Sequence, residues 1–224
     1  MNRRKFTQSA LALLSAASAP QARAALSGAD ASAALQESLR RGAEQAIAQL
    51  GVSGGFTNNE KVRIPLPDLL EKAAPTLKMF GQSKRLDELR LTLNRAAEQA
   101  IPLAKPLVSK AINGLDVHDA KRILTGGDTS VTDFFDEKVH AELAARFRPE
   151  VAKVTQQLGV ARQYDRLLSK GRALGVKAQD LDAHVTERAI KALFVTLAEQ
   201  EKALRANPLQ AGSSLLKRVF AGLN

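Results

Sequence analysis

Three groups of residues have the side chains and spacing that chemistry would require. The first is Asn94 and Glu98, four apart on one helical face, with Pro102 and Pro106 following at the same interval. Neither proline can donate to the carbonyl one turn back, so acceptors are freed and the helix must bend or stop and restart there. A buried Glu98 would need a cation or a hydrogen-bond donor, with Arg95, Lys105 or Arg122 as partners. Asn94, Glu98, Lys105 and Arg122 therefore form the candidate polar site, either as a structural ion pair or as a pocket or cation site. The second group is Gly126-Gly127-Asp128-Thr129-Ser130. A Gly-Gly nest at a helix start offers N–H groups to an anion, which nominates Gly126, Gly127, Thr129 and Ser130. Asp128 places a negative charge where that anion would sit, and no lysine follows at P-loop spacing. A joint between helices is thus the preferred reading. The glycines would end one helix in the left-handed conformation, and the Ser130-x-x-Asp133 capping box, or Asp128 or Thr129 one position earlier, would open the next. The third group, Gly51-Val52-Ser53-Gly54-Gly55, matches G-x-S-x-G, but a nucleophile elbow needs a strand running in. Here a helical pattern runs in and an irregular stretch leaves.

Metal and thiol chemistry have little to work with. His118, His140 and His184 lie far apart, none with a second histidine at helical spacing, and Asp128, Asp133 and Asp136 lack EF-hand spacing. There is no cysteine, hence no disulfide, thiol nucleophile or lipid-anchor thiol. No catalytic residue, metal or cofactor is assigned. The balance leans away from an enzyme, with an acid-base reaction using Glu98 and Asp119 or Asp128 kept as an alternative.

The elements that must position these residues are helical. Ala, Leu, Gln, Lys and Arg dominate, and apolar stripes recur at helical spacing, as in Leu35, Leu39, Ala43, Ala46, Ile47 and Leu50. Asp30 or Ser32 is expected to cap that first helix. Pro67 opens a second helix that Gly81 ends, and Ser83 opens a third through Glu98. A short helix is expected to start at Asp116 and run to Leu124, and a long one spans about 130–158. Further helices cover about 160–173, 180–205 and 213–223. The expected fold class is all-α, a single-domain bundle of about seven or eight helices with one long irregular loop near 51–66. Lys61 to Leu66 is the one stretch expected to be briefly extended. Residues 38–47, SLRRGAEQAI, echo residues 92–101, TLNRAAEQAI, for which shared packing demands on two Ala-rich helices are the preferred reading and an ancestral duplication the alternative. Phe134, Phe135, Phe147 and Tyr164 read as core. The last helix, with Leu215, Leu216, Val219 and Phe220 beside Lys217 and Arg218, is expected to dock on the bundle, with an anionic membrane or a partner as the alternative.

The first residues read as a targeting signal. A basic MNRRK, a short apolar run and Ala22-Arg23-Ala24 form a secretory leader over 1–24, leaving residues 25–224 as the helical domain. Arg3-Arg4 gives it a twin-arginine character. The leader contains four of the 33 basic residues and none of the 23 acids, so the remainder has 29 against 23, a charge of +6 rather than +10. Such a charge suits an envelope component or an anionic lipid surface, whereas an exported protein meets little nucleic acid. No stretch is long and apolar enough for a transmembrane helix.

The strings NRAAEQAIPLAKP (94–106), DAKRILTGG (119–127) with TDFF (132–135), and GFTNNEKVRIPLP (55–67) resemble a family of exported bacterial proteins, domain-of-unknown-function family 4197. VTERAIKALF (185–194) and LLKRVF (215–220) extend the resemblance over the whole mature chain. It implies an all-helical periplasmic or envelope protein with no assigned activity. Phe134 stands where the family leads one to expect Tyr. The functional expectation is a non-enzymatic periplasmic binding or interaction protein, with a carrier of a small amphiphile or lipid near the proline bend as the alternative. N-terminal sequencing of the protein recovered from a periplasmic fraction is expected to begin near Ala25. Retention in the cytosol with the leader intact would contradict the export reading.

Overall fold

A computed structural model of the chain describes residues 27–171 and 178–222, with side chains of 170 and 171 outside that description. The leader lies outside the described residues. Among those described there is no strand, and the chain is built from α1 (Gly28–Leu50), α2 (Asp68–Met79), α3 (Ser83–Ala100), α4 (Lys105–Asn113), α5 (Ala120–Leu124), α6 (Ser130–Gln157), α7 (Val160–Gly171), α8 (Leu181–Ala206) and α9 (Ser214–Ala221). A 3-10 turn, Ile101–Ala104, joins α3 to α4, and another, Pro208–Gln210, precedes α9. The protein is an all-α helical bundle.

α8 is its axis. Val185, Ala189, Ile190, Ala192, Leu193, Phe194 and Leu197 are buried around most of its circumference, as expected of a helix enclosed by others. α6 and α1 make the most extensive pairings with it. Against α1 the approach is close: a Cβ on Gly42 would stand 2.5 Å from Leu197 Cδ1. Phe135 of α6 meets Phe194 of α8 edge to face, with centroids 5.7 Å apart. α3 packs on α6, α7 and α8, while α4, α5 and α9 pack against α1. Phe135, Phe147 and Tyr164 are core residues, but Phe134 is only half-buried. In α9, Leu216, Val219 and Phe220 are buried, so the terminal helix docks on the bundle.

Several terminal details differ from expectation. α1 is capped by Ser27, whose Oγ accepts from Asp30 N at 3.0 Å, rather than by Asp30 or Ser32. The cap lies three residues before Asp30, with the Ser27 hydroxyl also donating to the Asp30 carboxylate at 2.8 Å. α5 starts at Ala120, not near Asp116. At Pro102 and Pro106 the helix does stop and restart, through the 3-10 turn.

Two histidines tie elements to this frame with opposite titration behaviour. Burial disfavours the His140 cation, but Asp136 on α6 (2.6 Å) and Glu187 on α8 (3.1 Å) outweigh it and raise its pKa above 6.5. His184 on α8 is shifted down, chiefly by burial and also by Arg188, against the raising effects of Pro65 O, to which Nε2–H donates at 3.0 Å, and of Asp68. His140 thus contributes stability that is fully present below its unfolded pKa and is lost as pH rises through the folded value. His184 costs stability as pH falls through its unfolded value. Between about pH 8 and pH 5.5, where only histidines titrate widely, melting temperature is expected to rise on acidification in His184→Gln and to fall in His140→Gln. Thermal unfolding across that range checks the sign, and parallel profiles for the two variants would contradict it.

Candidate functional site

The segment 51–67 has no regular structure, yet Phe56, Val62, Ile64 and Leu66 are buried. Its backbone polar groups therefore need partners that no helix or strand of its own supplies. α3 supplies them. Asn94, only 1% exposed, accepts from Ile64 N and donates to Ile64 O, both at 2.8 Å, and donates a second time to Arg90 O. The side-chain amide thereby holds both backbone groups of Ile64, as a neighbouring strand would, but the expected extension does not run from Lys61: Lys61 and Val62 lie in a turn, with Val62 N and Arg63 N donating to Asn59 O. One turn later, Glu98 Oε1 accepts from Phe56 N (3.1 Å), Thr57 N (2.9 Å) and Thr57 Oγ1 (2.9 Å). Gly55 is required here because a Cβ would collide with the carbonyl oxygens of Leu50 and Gln49.

The four residues of the candidate polar site are thus not brought together. Lys105 is exposed and faces Glu44 at 3.5 Å, and Arg122 pairs with Asp119 at 3.1 Å. Of the two options for a buried Glu98, a cation or a hydrogen-bond donor, it has donors, but they come from Phe56 and Thr57 rather than from Arg95, Lys105 or Arg122, because the folded-back loop delivers three of them to one oxygen.

The double-glycine turn is resolved by residues that the sequence reading did not nominate. Glu201, on α8 and 4% exposed, accepts from Val131 N (3.1 Å), Thr132 N (2.8 Å) and Thr132 Oγ1 (2.7 Å) at the start of α6. Arg205, one turn on, donates to Glu201 Oε1 through Nε (2.9 Å) and Nη2 (2.7 Å). It also donates to Leu124 O (2.8 Å) and Ser130 Oγ (3.0 Å) and lies 5.3 Å from the Phe220 ring centroid. The helix start does bind an anion, and the anion is the protein's own carboxylate. The expected capping box does not form: Ser130 Oγ donates to Ile123 O and Thr129 Oγ1 to Asp133. Neither glycine is left-handed, since the positive-φ glycines among the described residues are Gly54, Gly81 and Gly159. Gly126 is needed for space, because a Cβ there would stand 2.7 Å from that of Ser130.

The other motifs stay apart. Ser53 is exposed in the loop after α1, with no strand before it. His118 pairs with Asp116 at 2.8 Å on the surface. Among the described residues no three His, Asp or Glu side chains stand together so as to hold a metal ion.

A cleft of about 710 Å³ opens to solvent between α4, the 114–119 connection, α5 and α6. Leu107, Ala111, Leu115, Ile123, Phe134, Val139 and Leu143 form its apolar floor. Lys110, Arg122, Lys138 and Arg146 stand on the rim with Asp116, Asp119, Glu142 and His118. Arg122 and Arg146 are taken up by Asp119 and Glu142. Lys138 has only the outlying Glu137 at 3.7 Å and stands 5.9 Å from the Phe134 ring centroid. Lys110 makes no ion pair with a described residue. α4 begins anew after the 3-10 turn at Ile101–Ala104 and packs against α6, which together wall the cleft.

A family model described as "Protein of unknown function (DUF4197)" matches residues 25–221. The chain belongs to the DUF4197 family. No curated protein and no solved structure matches it. The strings that carry the DUF4197 resemblance include staple residues: NRAAEQAIPLAKP contains Asn94 and Glu98, GFTNNEKVRIPLP contains Phe56, Thr57 and Ile64, and TDFF begins at Thr132, a donor to Glu201.

Removing Glu98 or Asn94 strands buried donors and acceptors. Glu98→Ala and Asn94→Ala are each expected to lower the unfolding free energy by about 2–4 kcal/mol. Glu44→Ala, at the equivalent place of the echoed string but exposed, should change it by less than about 0.5 kcal/mol. Urea unfolding compares them, and equal effects at 44 and 98 would contradict the staple.

Proposed function

We propose that the protein is a non-catalytic binding protein of the bacterial envelope, exported by its leader, that holds a small amphiphile with an acidic head in the α4–α6 cleft. The observation that carries this reading is an apolar floor beneath a rim on which Lys110 and Lys138 pair with none of the cleft's carboxylates, Asp116, Asp119 and Glu142 being engaged by His118, Arg122 and Arg146. An apolar body would be desolvated against Leu107, Phe134 and Leu143, while the acidic head would meet the lysines. The acid-base alternative has no support there: Asp119 lines the cleft, but Glu98 is engaged by Phe56 and Thr57, and Asp128 does not line it.

A fluorescent anionic amphiphile, 1-anilinonaphthalene-8-sulfonate, tests this directly. Saturable binding to one site is expected, weakened about fivefold or more by the paired substitution Lys110→Gln/Lys138→Gln and similarly by Phe134→Ala. Circular dichroism should show both variants folded. Absence of saturable binding, or affinities unchanged in both variants, would contradict the assignment.

A further inference from the structure

The turn between α2 and α3 presents an unusual surface. Lys78-Met79-Phe80-Gly81-Gln82-Ser83-Lys84-Arg85 holds three basic residues and no acid. Met79 is 87% exposed and Phe80 70%, and they are the one adjacent pair among the exposed large apolar residues described. Single exposed apolar residues need no explanation, but a neighbouring pair at the apex of a turn leaves considerable apolar surface in water.

The backbone explains why they stay uncovered. α2 ends in a Schellman motif: Gln82 N donates to Leu77 O and Gly81 N to Lys78 O, both at 3.0 Å, with Gly81 at φ +73°. The position that usually supplies an apolar cover in this motif is Gln82, whose Nε2 instead donates to Phe80 O at 3.1 Å. A Cβ on Gly81 would meet nothing within 4 Å. Leu77 and Leu86, both fully buried, hold the two flanks of the turn in the core, so the tip is a firm projection. The cations around it are largely unneutralised. Lys84 reaches Glu88 only at 4.0 Å with both side chains exposed, and Arg85 donates to Gln82 Oε1. The nearby acids Glu71 and Asp87 are engaged by Arg90.

We infer that this tip is a wedge that inserts Met79 and Phe80 into the surface of an anionic lipid bilayer, with Lys78, Lys84 and Arg85 on the headgroups. Two apolar side chains on a projection are far too small for a stable protein–protein interface, which needs roughly 800 Å² from each partner. They suit the boundary between headgroups and acyl chains, where a few buried side chains and a ring of cations act together. Attachment would be peripheral, since no described helix is long and apolar enough to cross a membrane.

The full-length protein is tested by cosedimentation with vesicles of phosphatidylglycerol and phosphatidylcholine, against vesicles of phosphatidylcholine alone. Binding is expected to the anionic vesicles and to weaken as salt rises. Met79→Ser/Phe80→Ser should reduce it at least about tenfold. Lys78→Gln/Lys84→Gln/Arg85→Gln should reduce it about a hundredfold, at about fivefold for each charge. Lys217→Gln/Arg218→Gln on the docked α9 should leave it unchanged. The chain has no tryptophan, so Phe80→Trp introduces a single indole, whose emission should shift to the blue on anionic vesicles and be quenched by brominated acyl chains. Absence of vesicle binding, equal binding by the tip variants, loss confined to the α9 variant, or an unshifted indole would each overturn the proposal, the first leaving a protein as the occupant. The tip and the cleft share no residue, so amphiphile binding retained in the tip variants separates this proposal from the cleft's.

Discussion

A carboxylate can be kept away from water only where donors converge on it, and two such carboxylates organise this protein. Glu98 and Glu201 are each met by two consecutive amides and the hydroxyl of the second residue, Phe56-Thr57 in one case and Val131-Thr132 in the other. The device is the same, although one captures an irregular loop and the other a helix start. At Glu201 the charge is further balanced by Arg205, which reaches on to the end of α5. Breaking a buried pair of this kind typically costs about 3–5 kcal/mol, because the remaining partner is left uncompensated.

The surfaces follow from what those staples hold still. With 51–67 fastened to α3, and α3 interrupted at Ile101–Ala104, α4 starts as a separate helix and lines the cleft together with α6. With the start of α6 fastened to α8, Phe134 is presented at the cleft floor while its neighbour Phe135 packs on Phe194. The α2–α3 tip lies outside this arrangement and is shaped by its own glycine turn. One scaffold thus carries an apolar cleft and an apolar projection, both bordered by lysine or arginine.

Helices were legible because their signals are local. The Ala and Leu stripes, the prolines at 67, 102 and 106, and the glycine at 81 each act through neighbours in sequence. The importance of Asn94 and Glu98 was also readable, from two polar side chains one turn apart beside the interruption at Pro102 and Pro106. Their partners were not, because Phe56, Thr57 and Ile64 arrive from about 30 to 42 residues away. The echoed string makes the limit plain: Glu44 and Glu98 occupy equivalent positions in nearly the same sequence, yet one is exposed and the other buried. Glu201 lies among Glu199, Lys202 and Arg205, like any solvated helix face. Gly126 and Gly127 suggested a left-handed helix end, whereas Gly126 is there for room beside Ser130. Arg122 and Phe134 attracted notice for reasons unrelated to the cleft that they line together.

Native-state hydrogen exchange at the amides of Phe56, Thr57, Val131 and Thr132 addresses the central claim most directly. If buried carboxylates fasten the loop and the turn to the bundle, these four amides open only with global unfolding and exchange as slowly as the core of α8. Exchange at the rate of the exposed 126–128 turn would mean that the loop and the α6 start are held by something other than Glu98 and Glu201.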